Sequence, residues 1–363
     1  MINQSASPTV LSLEPCKPQD QLLFLGTPPG LQRYDNPKHP IFLELTDKQF
    51  DFIWRHSDIN VSKDRGDHAR LTDAERDIFD NNLRFQIAGD SMLSRSINTL
   101  ASFCTNSQLE ICMSWWSTFE TIHSRSYTHL LSNAYPNPGS FFDSVLETPA
   151  IVSRVNTLKR RFDALLSTDG SDLRQNIFNA VLAAQIMEGV TFYVSFACSF
   201  YFAQQGKMTG NGSIIKLISR DENLHVAITQ NILKIWRDRP EEGFQDIYNN
   251  AVNQGLIHEA YRMAVEEEKH WGEFLFSGGR NLVGLTPRGL GAYSEHIANN
   301  RLVNMRLQPV FGAVDNPFKG WITPYFDSRA VQTAPQEEDI TTYTRQTGGE
   351  LTTGGLSDLS LDD

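Results

Sequence analysis

The chain has 363 residues, 40% hydrophobic and 21% charged, the proportions of a globular protein with a large core in one big domain or two. Its net charge of −11 argues against nucleic acid as the main partner, because phosphate binding needs clustered Lys and Arg. Four separated cysteines (Cys16, Cys104, Cys112 and Cys198) form no CxxC pair and follow no signal-peptide pattern, so they read as reduced thiols of a cytoplasmic protein.

Residues 1–40 are rich in Pro and polar groups and read as an irregular arm. From about 41 to 330 the apolar period is that of helices, and no convincing alternating strand appears. "LTDAERDIFDNNLRFQIAGDSML" opens on a capping box, Thr72 with Glu75, and "SQLEICMSWWSTFETIHSRSYTHLL" on another, Ser107 with Glu110. Further periodic stretches follow at about 150–166, 172–205, 213–236, 243–276 and 287–308. The class is all-α, with helices long enough for a bundle. Residues 178–203 have the length and apolarity of a membrane span, and no Lys, Arg or Asp. Glu188 near the middle, Gln185 one turn earlier and the lack of a second such span favour a buried helix of a soluble bundle instead. Glu188 is then a buried carboxylate in need of a partner. Residues 331–363 turn to Gly, Thr and acids, too polar to order alone, and read as a flexible tail. Leu356, Leu359 and Leu361 in that acidic frame suit a segment that orders on a partner.

In "STFETIHSRSYTHLLSN" three functional side chains share one face. At about 100° per residue, Glu120 and His123 lie roughly 60° apart, with Tyr127 nearly above Glu120. A second Glu-x-x-His, Glu222 and His225, lies in "SRDENLHV", and two more apolar helices each carry an isolated acid, Asp90 and Glu188. Four buried carboxylates and two imidazoles cannot stay unpaired without large desolvation costs. A pair of divalent cations resolves that, with carboxylate oxygens bridging and flanking the ions and one imidazole on each. This is the known pattern of ferritin-like di-iron and di-manganese carboxylate proteins. One Glu-x-x-His alone is a weak signal and could be a paired core histidine. Two of them, in the order acid, ExxH, acid, ExxH, are strong.

"FETIHSRSYTHL", "FYVSFACSFYFA" and "SRDENLHV" resemble the radical-generating small (beta) subunit of class I ribonucleotide reductase, a likeness that runs from "FIWR" near residue 52 to "APQE" and the tyrosine beyond. Ferritins and fatty-acyl desaturases share ExxH pairs, but a tyrosine four residues after the first His, followed by "TH", is peculiar to this subunit. The resemblance implies a homodimer with two iron ions per chain as a di-iron-oxo centre, manganese being the alternative ion. Asp90, Glu120 and His123 would hold one ion and Glu188, Glu222 and His225 the other, with Glu120 and Glu222 bridging. O₂ would leave a stable radical on Tyr127, inside an apolar pocket of Phe192, Phe196 and Ile218. Trp116 would orient a carboxylate ligand. Trp54, Asp221 and His123 would form a relay, with Glu337 and Tyr343 in the tail passing the oxidising equivalent to the large catalytic subunit, where ribonucleotides are reduced. Taken singly, Phe192, Phe196 and Ile218 suit core packing, Trp54 an anchor and Asp221 a salt bridge. Tyr343 in a polar tail has no packing reason to exist.

Two rivals from other classes are a di-iron oxidase or desaturase and a ferritin-like metal-storage protein. The first has no need of Tyr343 or the leucine-bearing tail, and the second has no need of Tyr127 in a Phe-lined pocket. The chain has no phosphate loop, so the nucleotide is expected on another subunit.

Overall fold

The computed structural model describes residues 11–28, 30–167 and 172–326; Glu337, Tyr343, Leu356, Leu359 and Leu361 lie outside the described residues. The helices are α1 (Pro40–Asp51), α2 (Ser62–Arg70), α3 (Asp73–Ala101), α4 (Ser107–Ala134), α5 (Pro138–Ser144), α6 (Pro149–Asp163), α7 (Leu173–Ile186), α8 (Phe192–Gln204), α9 (Thr209–Asp238), α10 (Gln245–Asn253), α11 (Leu256–Leu275), α12 (Pro287–Asn304) and α13 (Lys319–Phe326). A π-turn, Met187–Thr191, joins α7 to α8 without a break. Among the described residues the only β pairings are isolated bridges, Phe24 with Cys104 and Leu282 with Leu285.

Local chemistry sets where the long helices start. Thr72 caps α3 as expected: its hydroxyl accepts from the Glu75 amide at 3.3 Å, and the Glu75 carboxylate accepts from the Thr72 amide at 2.9 Å. The expected box at Ser107 is not the cap of α4. Asn106 caps it, accepting from the Leu109 amide at 3.0 Å. Ser107 is instead the first helical residue, and its amide donates to Gln21 Oε1 at 3.0 Å. The arm thus satisfies a donor that the serine was expected to leave to its own helix.

The stretch 243–276 is also two helices rather than one. Gly255 takes a positive φ of 68° between α10 and α11, a conformation that costs glycine little. The most apolar window of the π-interrupted helix Leu173–Gln204 is buried throughout, as a core helix should be.

Four helical rods surround the centre. α3 packs along α4, α7 and α8 pack on α9, and α4 and α8 close the ring against α9 and α3. α1 covers α4 and α9, while α11 and α12 lie against the π-turn. The described residues of the arm pack on the bundle: Leu23 and Phe24 are fully buried, and the Leu23 amide donates to the buried Glu242 at 2.8 Å.

Candidate metal centre

Each rod brings buried acids or histidines to the middle of the bundle. Asp90 comes from α3, Glu120 and His123 from α4, Glu188 from the π-turn, and Glu222 and His225 from α9. All six are 0% exposed. Their ligand atoms fall into two overlapping sets, Asp90, Glu120, His123 and Glu222 in one and Glu120, Glu188, Glu222 and His225 in the other, with the atoms of each set within 4.8 Å of one another. Glu120 and Glu222 belong to both.

The imidazoles turn Nδ1 inward. His225 Nδ1 lies 2.7 Å from Glu222, 2.9 Å from Glu188 and 3.1 Å from Glu120. His123 Nδ1 lies 3.4 Å from Glu222 and 3.6 Å from Glu120. Its Nε2 faces Asp221 Oδ2 at 3.2 Å, a contact that favours the tautomer with the proton on Nε2 and the Nδ1 lone pair free.

Both Asp90 oxygens, Glu120 Oε2, Glu222 Oε1 and His123 Nδ1 are buried without a hydrogen-bond partner. Lone pairs crowded together in a dry core repel one another unless a cation lies between them. Four carboxylates carry the charge that two divalent ions neutralise, and oxygen with imidazole suits iron or manganese. The residues fit a di-metal centre.

The profile of the family described as ribonucleotide reductase, small chain, matches residues 32–317. This chain belongs to that family. The ribonucleoside-diphosphate reductase subunit beta of Buchnera aphidicola is 35% identical over 344 residues, 88% of this chain and 90% of the relative. The ribonucleoside-diphosphate reductase 1 subunit beta of Salmonella typhimurium is 34% identical over 371 residues, 94% and 97% of the two chains. A ribonucleotide reductase R2 subunit from Clostridium botulinum, 24% identical, superposes with a TM-score of 0.77 over 84% of this chain and 94% of its own, which extends the likeness to the fold.

Around this ribonucleotide reductase small-chain centre, charge and burial act against each other. Burial pushes the Asp90 and Glu188 carboxyls well above the ordinary range, with the Glu120 charge adding to the first and Glu222 to the second. Burial lowers the imidazoles, but Asp221, Glu120 and Glu222 around His123, and Glu188, Glu222 and Glu120 around His225, outweigh it and hold both well above the usual histidine value. Glu222 is desolvated too, yet its hydrogen bonds and the imidazoles keep it well below the usual glutamate value.

Tyr127 is 1% exposed, and burial followed by the neighbouring Asp90 raises its phenol well above ordinary tyrosine. Phe192, Phe196 and Ile218 are all buried, and the two phenylalanines stack with ring centres 5.8 Å apart. Trp54 Nε1 donates to Asp221 Oδ2 at 2.7 Å, the oxygen that also meets His123, and the Trp54 and His123 rings stack with centres 6.3 Å apart, so the three side chains touch one another. Trp116 does more than the sequence suggested. Its indole N–H lies 3.1 Å from Glu120 and 3.0 Å from Glu188, joining carboxylates of two elements, and its ring stacks on His225 at 5.2 Å.

Arg220 escaped the sequence reading. It grips Asp221 Oδ1 at 2.9 Å through Nη2 and the Phe52 carbonyl at 2.6 Å, fixing the acid that holds His123. A base directly before that acid in "SRDENLHV" was the available signal.

Proposed function

We propose that this chain is the radical-generating beta subunit of a ribonucleoside-diphosphate reductase, and that it works with a large subunit which reduces the nucleotide. The observation that carries the reading is the pair of buried ligand sets sharing Glu120 and Glu222, with Tyr127 beside Asp90 at one end. When bound, the metal pair supplies reduction of O₂ and one-electron oxidation of a nearby phenol. The chain's residues do the rest. Asp90, Glu120, His123, Glu188, Glu222 and His225 would hold the ions, with Glu120 and Glu222 common to both ligand sets. Trp116 orients Glu120 and Glu188 with a single N–H.

Tyr127 is the radical site. Phe192, Phe196 and Ile218, which the family resemblance puts around it, are buried, as a pocket that keeps water and reductants from a radical requires. Trp54, Asp221 and His123 are the inner relay, supported by their continuous contacts. Glu337 and Tyr343 extend that relay into the tail, an assignment that rests on the family resemblance, and the leucines beyond Gly355 dock on the large subunit, an assignment that rests on their spacing in an acidic frame. Iron is the proposed ion, because the resemblance is to the iron-tyrosyl type, while the ligand types accept manganese as well. A homodimer and a cytoplasmic location complete the reading, the latter in keeping with four free cysteines.

Anaerobic loading with Fe(II), exposure to air and parallel metal analysis with electron paramagnetic resonance test the function. Two ions per chain and a tyrosyl signal are expected. Metal without a radical would return the oxidase and storage alternatives.

A further inference from the structure

The π-turn that carries Glu188 is held from outside the metal centre. Arg301, on α12, donates through Nε to the Gly189 carbonyl at 3.1 Å. Its guanidinium lies over the Tyr193 ring, 4.8 Å from the centroid. The Tyr193 hydroxyl in turn donates to Asn223, the neighbour of Glu222. Gly189 makes room for this contact: a Cβ there would meet Arg301 Nε at 3.3 Å and its Cδ and Cγ at 3.5 Å. A π-turn is rare and less favourable than the α-helix, and relaxing it shifts the register of its side chains. Something must bias the wide form, and among the observed contacts this arginine binds the turn one residue from Glu188.

We propose that Arg301 is a positioning residue for the metal centre, which locks the π-turn so that Glu188 points into the second ligand set. The inference rests on the metal-centre reading above. Glu188 belongs to the set with His225 and not to the set with Asp90 and His123. Loss of the lock should therefore weaken one ion and spare the other.

The probe is Mn(II), added anaerobically to metal-free wild-type, Arg301→Met and Arg301→Lys chains. Methionine keeps an unbranched apolar stem and removes the donor; lysine restores a donor and the charge. Two neighbouring Mn(II) ions couple magnetically, whereas a lone one gives a sharp six-line resonance. Wild type should take up two ions and lose the six-line signal. Arg301→Met should bind the first ion normally and the second about tenfold or more weakly, the scale of other residues that orient ligands from behind. Its six-line signal should then persist at two equivalents, and Arg301→Lys should recover part of the coupling. Equal uptake of both ions by Arg301→Met would overturn the role of Arg301 alone. Equal weakening of both ions together with a lower melting temperature would overturn it too, by showing a general folding defect. Indistinguishable behaviour of the Met and Lys variants would remove the donor from the argument. Failure of wild type to bind two ions would instead overturn the metal centre itself.

Discussion

Glu222 takes part in both ligand sets and stands within reach of both imidazoles, so its loss should be felt at each ion. Glu222→Ala is expected to lose at least half of the bound metal and to cost about 3 kcal/mol or more in the loaded protein, since it strands buried charges. Full occupancy of two ions in that variant would show the sets to be independent. Tyr127→Phe separates assembly from oxidation. The ring volume stays and only the hydroxyl beside Asp90 goes, so metal uptake should be unchanged while the tyrosyl resonance disappears. A persistent radical in that variant would move the site to another residue.

Protonation of the neighbouring acids and histidines gives a signed pH dependence. His123, His225, Asp90 and Glu188 all have folded-state values above their ordinary ones. Each contributes stability to the metal-free chain that is fully present below its unfolded value and is lost as pH rises through its folded value. Metal must displace those protons, so affinity should rise with pH. Calorimetric melting of loaded and metal-free protein between about pH 5.5 and 8 should show the gap between them widening toward alkaline pH. A gap that narrows would contradict this assignment of protons.

At the scale of elements, α9 shows how much a helix start can depend on a distant side chain. The buried Asp64, from α2, accepts from the amides of Gly210 at 2.9 Å and Asn211 at 2.6 Å. Gly210 permits the approach, since a Cβ there would come within 2.8 Å of Val61 Cα. Asp64→Ala should cost roughly 2–4 kcal/mol, because it leaves buried amides unpaired. Denaturant titration of the metal-free variant measures it, and an unchanged midpoint would mean that the amides find other partners.

The same dependence explains what could be read from sequence. Helix positions and the ligand candidates were legible because acids and histidines on apolar stripes are costly anomalies. The cap of α4 was misread because Asn106 and Ser107 are both good caps, and Gln21, far away in sequence, takes the serine amide. The break at Gly255 hid in a continuous apolar period. Trp116 reaching Glu188, and Arg301 reaching Gly189, arise only when separate helices meet, so no spacing announces them.

For the whole molecule, the helical body and the tail should serve separable tasks. Spaced leucines gain affinity by burying apolar groups, whereas a tyrosine in the tail contributes an oxidisable hydroxyl. Truncation after Gly355 should abolish binding to the large subunit and leave the radical proposed at Tyr127 intact. Tyr343→Phe should keep binding and stop turnover. Subunit affinity and deoxyribonucleotide formation, measured on both variants, decide the matter: normal turnover by Tyr343→Phe removes it from the relay, and undiminished affinity after truncation moves docking off the tail.

The complete burial of the six proposed ligand residues also has a kinetic consequence. An ion in solution cannot reach them unless the bundle breathes, so opening precedes capture. The uptake rate should climb with metal concentration at first and then level off at the frequency of opening. Stopped-flow loading would trace that plateau, and amide hydrogen exchange along Leu173–Gln204 should reveal whether the same fluctuation admits both water and metal. This core would then be filled at a pace set by its own motion, however abundant the ion outside.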